Sequence, residues 1–301
     1  MSSELISDVG PPLEGPTPPE AATEAALLTD FSLEMTGKDV GKLGEARATI
    51  PLGTRINVTF LGNEDLTTRT AAARAVKEFG FTPVPHISAR RIRSADELEE
   101  FLAALRAIGA SEKLFVIAGD PAEPMGPYPD ALSLIRSGLP EQFGAQAVNI
   151  AGYPEGHPQI PDDMLWNALE GKAAALGANG RGDSIITQFL FDADAALDWV
   201  ARVRQRGITL PVRIGVPGPA GVRRLLSYAA RFGVSTSAGI AKKYGLSITN
   251  LMGTAGPDRF IRELADAYDP ARHGVVKLHF YTFGGLRATS EWISEFTGEL
   301  A

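Results

Sequence analysis

Short apolar runs that end on a polar residue recur along this chain, and a helix-like stretch separates each from the next. Six are plain: Phe31-Ser-Leu-Glu34, Arg55-Ile-Asn-Val-Thr59, Thr82-Pro-Val-Pro-His86, Leu114-Phe-Val-Ile-Ala-Gly-Asp120, Val148-Asn-Ile-Ala-Gly-Tyr153 and Ile185-Ile-Thr-Gln188. Buried strands alternating with helices specify parallel β/α units. Two more runs, at residues 212–216 and 276–281, bring the strands to about eight. Eight units in 301 residues match a closed (β/α)₈ TIM barrel, an α/β fold. The competing open doubly wound sheet usually carries a Gly-rich first turn. Here that turn is Glu34-Met-Thr-Gly-Lys38, with neither a GxGxxG nor a P-loop pattern. Closure into a barrel would gather the strand-end residues on one face, where barrel enzymes work.

The expected strands are residues 31–35, 55–59, 83–87, 113–117, 147–151, 184–189, 212–216 and 276–281. Helices are expected at 21–28, 38–48, 65–79, from Ser94, and then at 128–138, 161–176, 193–206, 220–232, 237–244, 257–268 and 289–296. Residues 1–20, rich in Pro, Ser and Glu, read as a disordered N-terminal arm. Residues 21–301 read as a single barrel domain.

Composition removes several classes of function. With no Cys there is no disulfide, thiolate metal site or Cys nucleophile. The four His (His86, His157, His273, His279) have no metal-ligand spacing, so no metal is expected. A net charge of −7 without a basic run argues against nucleic acid. No apolar stretch reaches membrane-spanning length and no signal-peptide pattern opens the chain, so a cytoplasmic protein off the membrane is expected. Self-association into a homo-oligomer is left open.

The strand-end residues each carry two readings. Glu34 is either a general acid at the barrel mouth or a rim carboxylate paired with Lys38. Asp120, in Gly119-Asp120-Pro121, is either functional or a turn-former. Thr59 by itself reads as a strand residue. Gln188, among β-branched and aromatic neighbours, tilts toward ligand binding. A lone His such as His86 is more often structural than catalytic. Gly152-Tyr-Pro-Glu-Gly-His-Pro158 is too polar and too rigid for an ordinary connector and reads as a preorganised ligand loop. Gly215-Val-Pro-Gly-Pro-Ala-Gly221 leads into a helix and could offer backbone N–H groups to a phosphate, although it lacks the Lys and Ser/Thr of a P-loop.

In order along the chain, Phe31-Ser-Leu-Glu34, Val58-Thr59-Phe60, Pro85-His86, Gly119-Asp120-Pro121, Gly152-Tyr-Pro-Glu-Gly-His-Pro158, Ile185-Ile-Thr-Gln-Phe-Leu-Phe-Asp192 and His279-Phe-Tyr-Thr282 resemble the methylenetetrahydrofolate reductase family, as a divergent bacterial member. The resemblance implies a barrel with FAD at the strand C-terminal ends, reducing 5,10-methylenetetrahydrofolate to 5-methyltetrahydrofolate with NADH or NADPH. Glu34 would be the acid that opens the folate's five-membered ring, and Asp120 would lie near folate and flavin. Gln188, Tyr281 and Arg287 would bind the folate. Thr59, His86, Ala118, Gly119, Asp120, Gly152, Tyr153, His157 and Lys172 would hold the flavin. This chain departs from the family pattern in having Ala118 where the family has Arg before Gly-Asp, and Gly284-Gly285 after the last strand, with Arg287 two residues on. Two alternatives stand beside this expectation: direct hydride transfer from NADH without a tightly held flavin, and a non-catalytic folate- or flavin-binding barrel.

Overall fold

The structure is a computed structural model that describes residues 24–234 and 254–300. Eight parallel strands close into a barrel: β1 (Ser32–Met35), β2 (Arg55–Val58), β3 (Thr82–Ser88), β4 (Lys113–Ile117), β5 (Ala147–Gly152), β6 (Gly182–Phe189), β7 (Val212–Pro217) and β8 (Val276–Tyr281). Each strand pairs with its sequence neighbours, and β8 closes on β1 through Ser32↔His279 and Leu33↔Phe280. Helices surround the barrel, and one hydrophobic core runs from Leu27 to Phe296 between them and the outer strand faces. Among the described residues, no helix is long and apolar enough to cross a membrane.

Side chains alternate across each strand, so every second residue points into the barrel. The interior is polar at both ends and apolar across part of its middle. At the strand N-terminal end, Arg55 Nη1 bonds Asp183 Oδ2 at 2.6 Å and Arg213 Nη2 bonds Asp30 Oδ2 at 2.6 Å, closing the floor with charge. Above it, Val84, Phe115 and Ile186 form a small apolar plug. Ser32, Asn57, Asn149, Ser184 and His279 share the interior and are buried. Such groups must find hydrogen bonds, and Ser184 Oγ bonds Asn149 Oδ1 at 2.5 Å while Asn149 Nδ2 bonds the Leu114 carbonyl at 3.1 Å.

One irregularity shapes the barrel mouth. The β6–β7 register shifts between Ile186 and Phe189. Thr187 Oγ1 there accepts from the Gly215 amide at 2.8 Å, and the Thr187 carbonyl accepts from Tyr281 Oη at 3.0 Å. A Cβ at Gly215 would lie 2.6 Å from the Thr187 carbonyl oxygen, so only glycine permits this approach.

The helices differ from the sequence expectation where turn chemistry intervenes. The helix expected over 38–48 is three pieces: 3₁₀ turns at Gly37–Asp39 and Arg47–Thr49 flank Val40–Ala46. The stretch 128–138 starts later, at Ala131, because Asp130 caps it by accepting from the Ser133 amide. Gly138, at φ 72°, then ends it before a short helix Leu139–Gln142. The helix expected from residue 220 starts at Val222, because Ala220–Gly221 pairs with Thr254–Ala255 as a small antiparallel ribbon. The last helix runs longer than expected, Leu286–Glu299. The helix expected at 237–244 and the N-terminal arm lie outside the described residues.

Candidate active site

Glu34 sits near the end of β1, its side chain 21% exposed, with Oε2 facing two imidazoles. His279 Nε2 is 3.6 Å away and His86 Nε2 is 4.0 Å away. The pairing follows from register and alternation. His279 lies opposite Ser32, two residues before Glu34 on the same inward face, and Ser32 Oγ hydrogen-bonds His279 Nδ1 at 2.9 Å. In the tautomer where Ser32 donates to Nδ1, Nε2 carries its proton toward Glu34. His279 is fully buried and its Nε2 has no hydrogen-bond partner among the described residues, so a ligand atom or a shortened contact to Glu34 would satisfy it. Thr282 Oγ1 donates to the Glu34 carbonyl at 2.7 Å and fixes the end of β1 against the chain leaving β8.

His86 is held from below. Its Nε2 lies 3.3 Å from Asn57 Oδ1 and its ring meets Phe115 edge-on at 4.6 Å between centroids. Burial lowers its pKa to about 4, against the opposing pull of Glu34 and with the His279 ring adding to the fall. His86 is therefore neutral near pH 7 and donates to Asn57. Tyr281, next but one to His279, turns inward and binds the Thr187 carbonyl. Burial pushes its phenol well above the ordinary value, with the Glu34 and Tyr153 charges adding to the shift. The rim reading of Glu34 is not what the fold builds: among the described residues the basic side chains within 4 Å of its carboxylate are the two imidazoles, while Lys38 acts on Glu64.

Gln188 lies in the irregular part of β6, where its Oε1 accepts from the Phe189 amide at 3.1 Å, and its amide NH₂ makes no hydrogen bond among the described residues. Thr59 is buried just beyond β2 with Oγ1 unpartnered among the described residues. Tyr153 and His157 meet edge to face at 5.5 Å, and His157 Nδ1 accepts from the Gln159 amide at 3.2 Å, so the Tyr-Pro-Glu-Gly-His loop folds onto itself. Burial lifts the Tyr153 phenol and lowers the His157 imidazole. Lys172 is buried on the helix Asp162–Gly177, its Nζ 3.3 Å from the Ala151 carbonyl at the end of β5. Burial lowers its pKa to about 8, with Asp130 opposing.

Three expected residues have other surroundings. Gly152 is buried where a Cβ would lie 2.5 Å from the Trp199 ring, so helix packing accounts for it. Arg287 is 65% exposed on the last helix and bonds Glu291 at 2.7 Å, away from the Glu34 cluster. Asp120 is 76% exposed and held by a two-pronged bond from Arg91, Nε to Oδ1 and Nη2 to Oδ2, both 2.7 Å. Arg91 follows β3 and escaped the sequence reading, because 29 residues separate it from Asp120. It brings a guanidinium to the side of the barrel where Ala118 offers only a methyl group. His279, Ser32 and Asn57 were missed as well, although strand alternation from Glu34, Tyr281 and Thr59 would have found them.

The arrangement sets one carboxylate against two imidazoles at the mouth of a barrel, beside the Gln188 amide and a buried phenol. Sequence comparison extends this picture. The family model for methylenetetrahydrofolate reductase matches residues 44–296. Methylenetetrahydrofolate reductase 2 of Saccharomyces cerevisiae is 34% identical over 101 residues, covering 34% of this chain and 15% of that protein. Methylenetetrahydrofolate reductase 1 of Schizosaccharomyces pombe is 29% identical over 164 residues, covering 51% of this chain and 24% of that protein. The matched stretch thus spans a quarter or less of each of these relatives. Among solved structures, a dihydropteroate synthase from Thermus thermophilus aligns at a TM-score of 0.47 and 13% identity, over 90% of this chain and 93% of that one. With the family model covering most of its length, the chain belongs to the methylenetetrahydrofolate reductase family.

Proposed function

We propose that this protein reduces 5,10-methylenetetrahydrofolate to 5-methyltetrahydrofolate with NAD(P)H, and that Glu34 supplies the proton. The observation that carries the reading is the Glu34–His279–His86 cluster at the barrel mouth. Ring opening breaks the bond between the bridging methylene carbon and N10. N10 takes the proton from Glu34, and the electron pair on N5 forms the 5-iminium cation. Hydride addition at the methylene carbon then gives the methyl group. His279, fixed by Ser32, holds the Glu34 carboxyl in place and can return a proton to it. The carboxylate left behind favours the cation. Gln188 offers its free amide NH₂ to the planar pterin, and Tyr281 lines the same wall.

The residues fit a flavin as the hydride carrier. Thr59 Oγ1 and Ser88 Oγ are buried without partners among the described residues, beyond β2 and at the end of β3. Gly119, at φ 95°, holds a left-handed turn in which a Cβ would meet Ser88 Oγ at 1.9 Å. Thr59, His86, Gly119, Tyr153, His157 and Lys172 would hold FAD, with Ala118 and Asp120 beside it. When bound, the flavin would take hydride from NAD(P)H and deliver it to the folate. A second reading passes hydride directly from NAD(P)H to the folate. It is favoured by Ala118 and by Arg91, which already occupies both oxygens of Asp120.

Purified protein mixed with NADH and 5,10-methylenetetrahydrofolate should lose absorbance at the nicotinamide band and yield 5-methyltetrahydrofolate by mass spectrometry. No folate-dependent oxidation with either NADH or NADPH, with and without added FAD, overturns the proposal. A visible flavin spectrum bleached by NADH, with ping-pong kinetics, selects the flavin route. A colourless, active protein with ternary-complex kinetics selects direct transfer.

A further inference from the structure

The barrel mouth carries a basic surface that the Glu34 cluster does not use. The helix Val222–Phe232 buries Val222, Leu225 and Ala229 and turns Arg223, Arg224, Ser227, Tyr228 and Arg231 the other way. Those five positions follow i, i+1, i+4, i+5, i+8, one face of an α-helix. Together with Gly284 they line a cavity of about 750 Å³ whose far wall is the end of the Gly215–Gly221 segment. Among the described residues, no Asp or Glu lines it. Among them too, Arg223 and Arg231 make no ion pair, in a chain of net charge −7. Uncompensated arginines facing a space of that size are a binding surface for oxyanions.

One segment of chain ties the cavity wall to the site. Arg224 Nη1 bonds the Phe283 carbonyl at 2.8 Å, and Tyr228 stacks on the Phe283 ring at 4.1 Å. The next residue back, Thr282, holds the Glu34 carbonyl. Phe283 therefore links the arginine-bearing helix to the residue that anchors the end of β1. The loops after strands seven and eight are a general place for anionic groups in barrel enzymes.

We propose that this cavity is a subsite for the oxyanion-bearing end of a ligand reacting at Glu34, with Arg223 and Arg231 as its cations. This rests on the folate reductase reading. Two sources share the chemistry: the glutamyl carboxylates of the folate and the pyrophosphate of the dinucleotide. Both arginines are exposed helix positions, so the double variant R223E/R231E should fold. R74E, on an exposed face of the helix Leu66–Glu78, controls for bulk charge.

The first test is binding of a penta-γ-glutamate peptide and of inorganic pyrophosphate by calorimetry, which needs no turnover. One of the two should bind the wild type, and the affinity should fall at least 10-fold in R223E/R231E and little in R74E. The second test is steady-state kinetics. If the glutamyl tail is the occupant, the wild-type KM should fall from mono- to pentaglutamyl folate and that advantage should vanish in the double variant. If the pyrophosphate is the occupant, the KM for NADH should rise instead, with kcat little changed. Arginine-dependent binding of a probe in a protein without folate turnover would sink the functional reading and leave the subsite standing. Equal effects of R223E/R231E and R74E, or none on either probe and either KM, overturn the subsite.

Discussion

Lys172→Met isolates the energetics of a charge buried behind the proposed cofactor side of the barrel. Lys172 is 7% exposed, its pKa is lowered from 10.5 to about 8 by burial, and its amine has one hydrogen bond, to the Ala151 carbonyl at 3.3 Å. The folded pKa lies below the unfolded one, so between pH 8 and 10.5 the unfolded chain binds a proton that the native chain has released. Stability must therefore rise with pH across that window, and below pH 8 the native state carries the full cost. A gap of about 2.5 pKa units corresponds to about 3 kcal/mol. Met keeps the packed stem and removes the charge, but forfeits one hydrogen bond worth about 1 kcal/mol. K172M should then be about 2 kcal/mol more stable than wild type at pH 7, and the gain should vanish at about pH 9.5 to 10 and become a deficit approaching about 1 kcal/mol above it. Urea denaturation of both proteins at pH 7, 8, 9 and 10 reads this directly. A difference that does not change with pH, or a K172M protein clearly less stable than wild type at pH 7, would refute the reasoning. If the amine also meets a cofactor phosphate, the more stable variant should bind FAD more weakly.

Three further outcomes follow from the geometry. Arg91→Ala frees Asp120. Because Asp120 is 76% exposed, stability should move by less than about 1 kcal/mol, while a cycle with D120A should show non-additive kcat/KM, and additive effects would remove the pair from the site. Gly119→Ala should cost about 2 kcal/mol, from a side chain at φ 95° and a Cβ 1.9 Å from Ser88 Oγ, with S88A recovering part; an unchanged urea midpoint contradicts the strained turn. Ser32→Ala removes the partner of His279 Nδ1 and should lower kcat about 10-fold and shift its pH profile, with S32T restoring both. A uniform loss at every pH, or no rescue by Thr, would make Ser32 merely structural.

The barrel was legible because its strands are buried on both faces and read as continuous apolar runs. β4 and β8, Leu114-Phe-Val-Ile117 and Val276-Lys-Leu-His-Phe-Tyr281 at their cores, occupy the expected residues 113–117 and 276–281. Helix limits were harder to read where short-range hydrogen bonds compete with periodicity. Asp130 caps three residues into an expected helix, and Gly41 and Gly44 sit in a stretch that breaks into three pieces. The proposed reacting cluster was half legible. Glu34 and His86 stood out as polar ends of apolar runs, whereas Ser32 and Asn57 lie inside their runs and gain meaning only from cross-strand register. Arg91 was invisible, since nothing local ties Ala89-Arg-Arg91 to Gly119-Asp120; only the adjacency of β3 and β4 does.

The proposed role of Glu34 as the proton donor to the folate is tested most directly by Glu34→Gln. Gln keeps the size and the hydrogen-bonding edge toward His279 but cannot supply the proton. The measurement is kcat for folate-dependent NADH oxidation beside the Kd for the folate. If Glu34 donates the proton, kcat should fall at least 100-fold with the Kd changed by less than a few-fold, about 3 kcal/mol taken from the transition state alone. An E34Q protein that turns over 5,10-methylenetetrahydrofolate at the wild-type rate would contradict it.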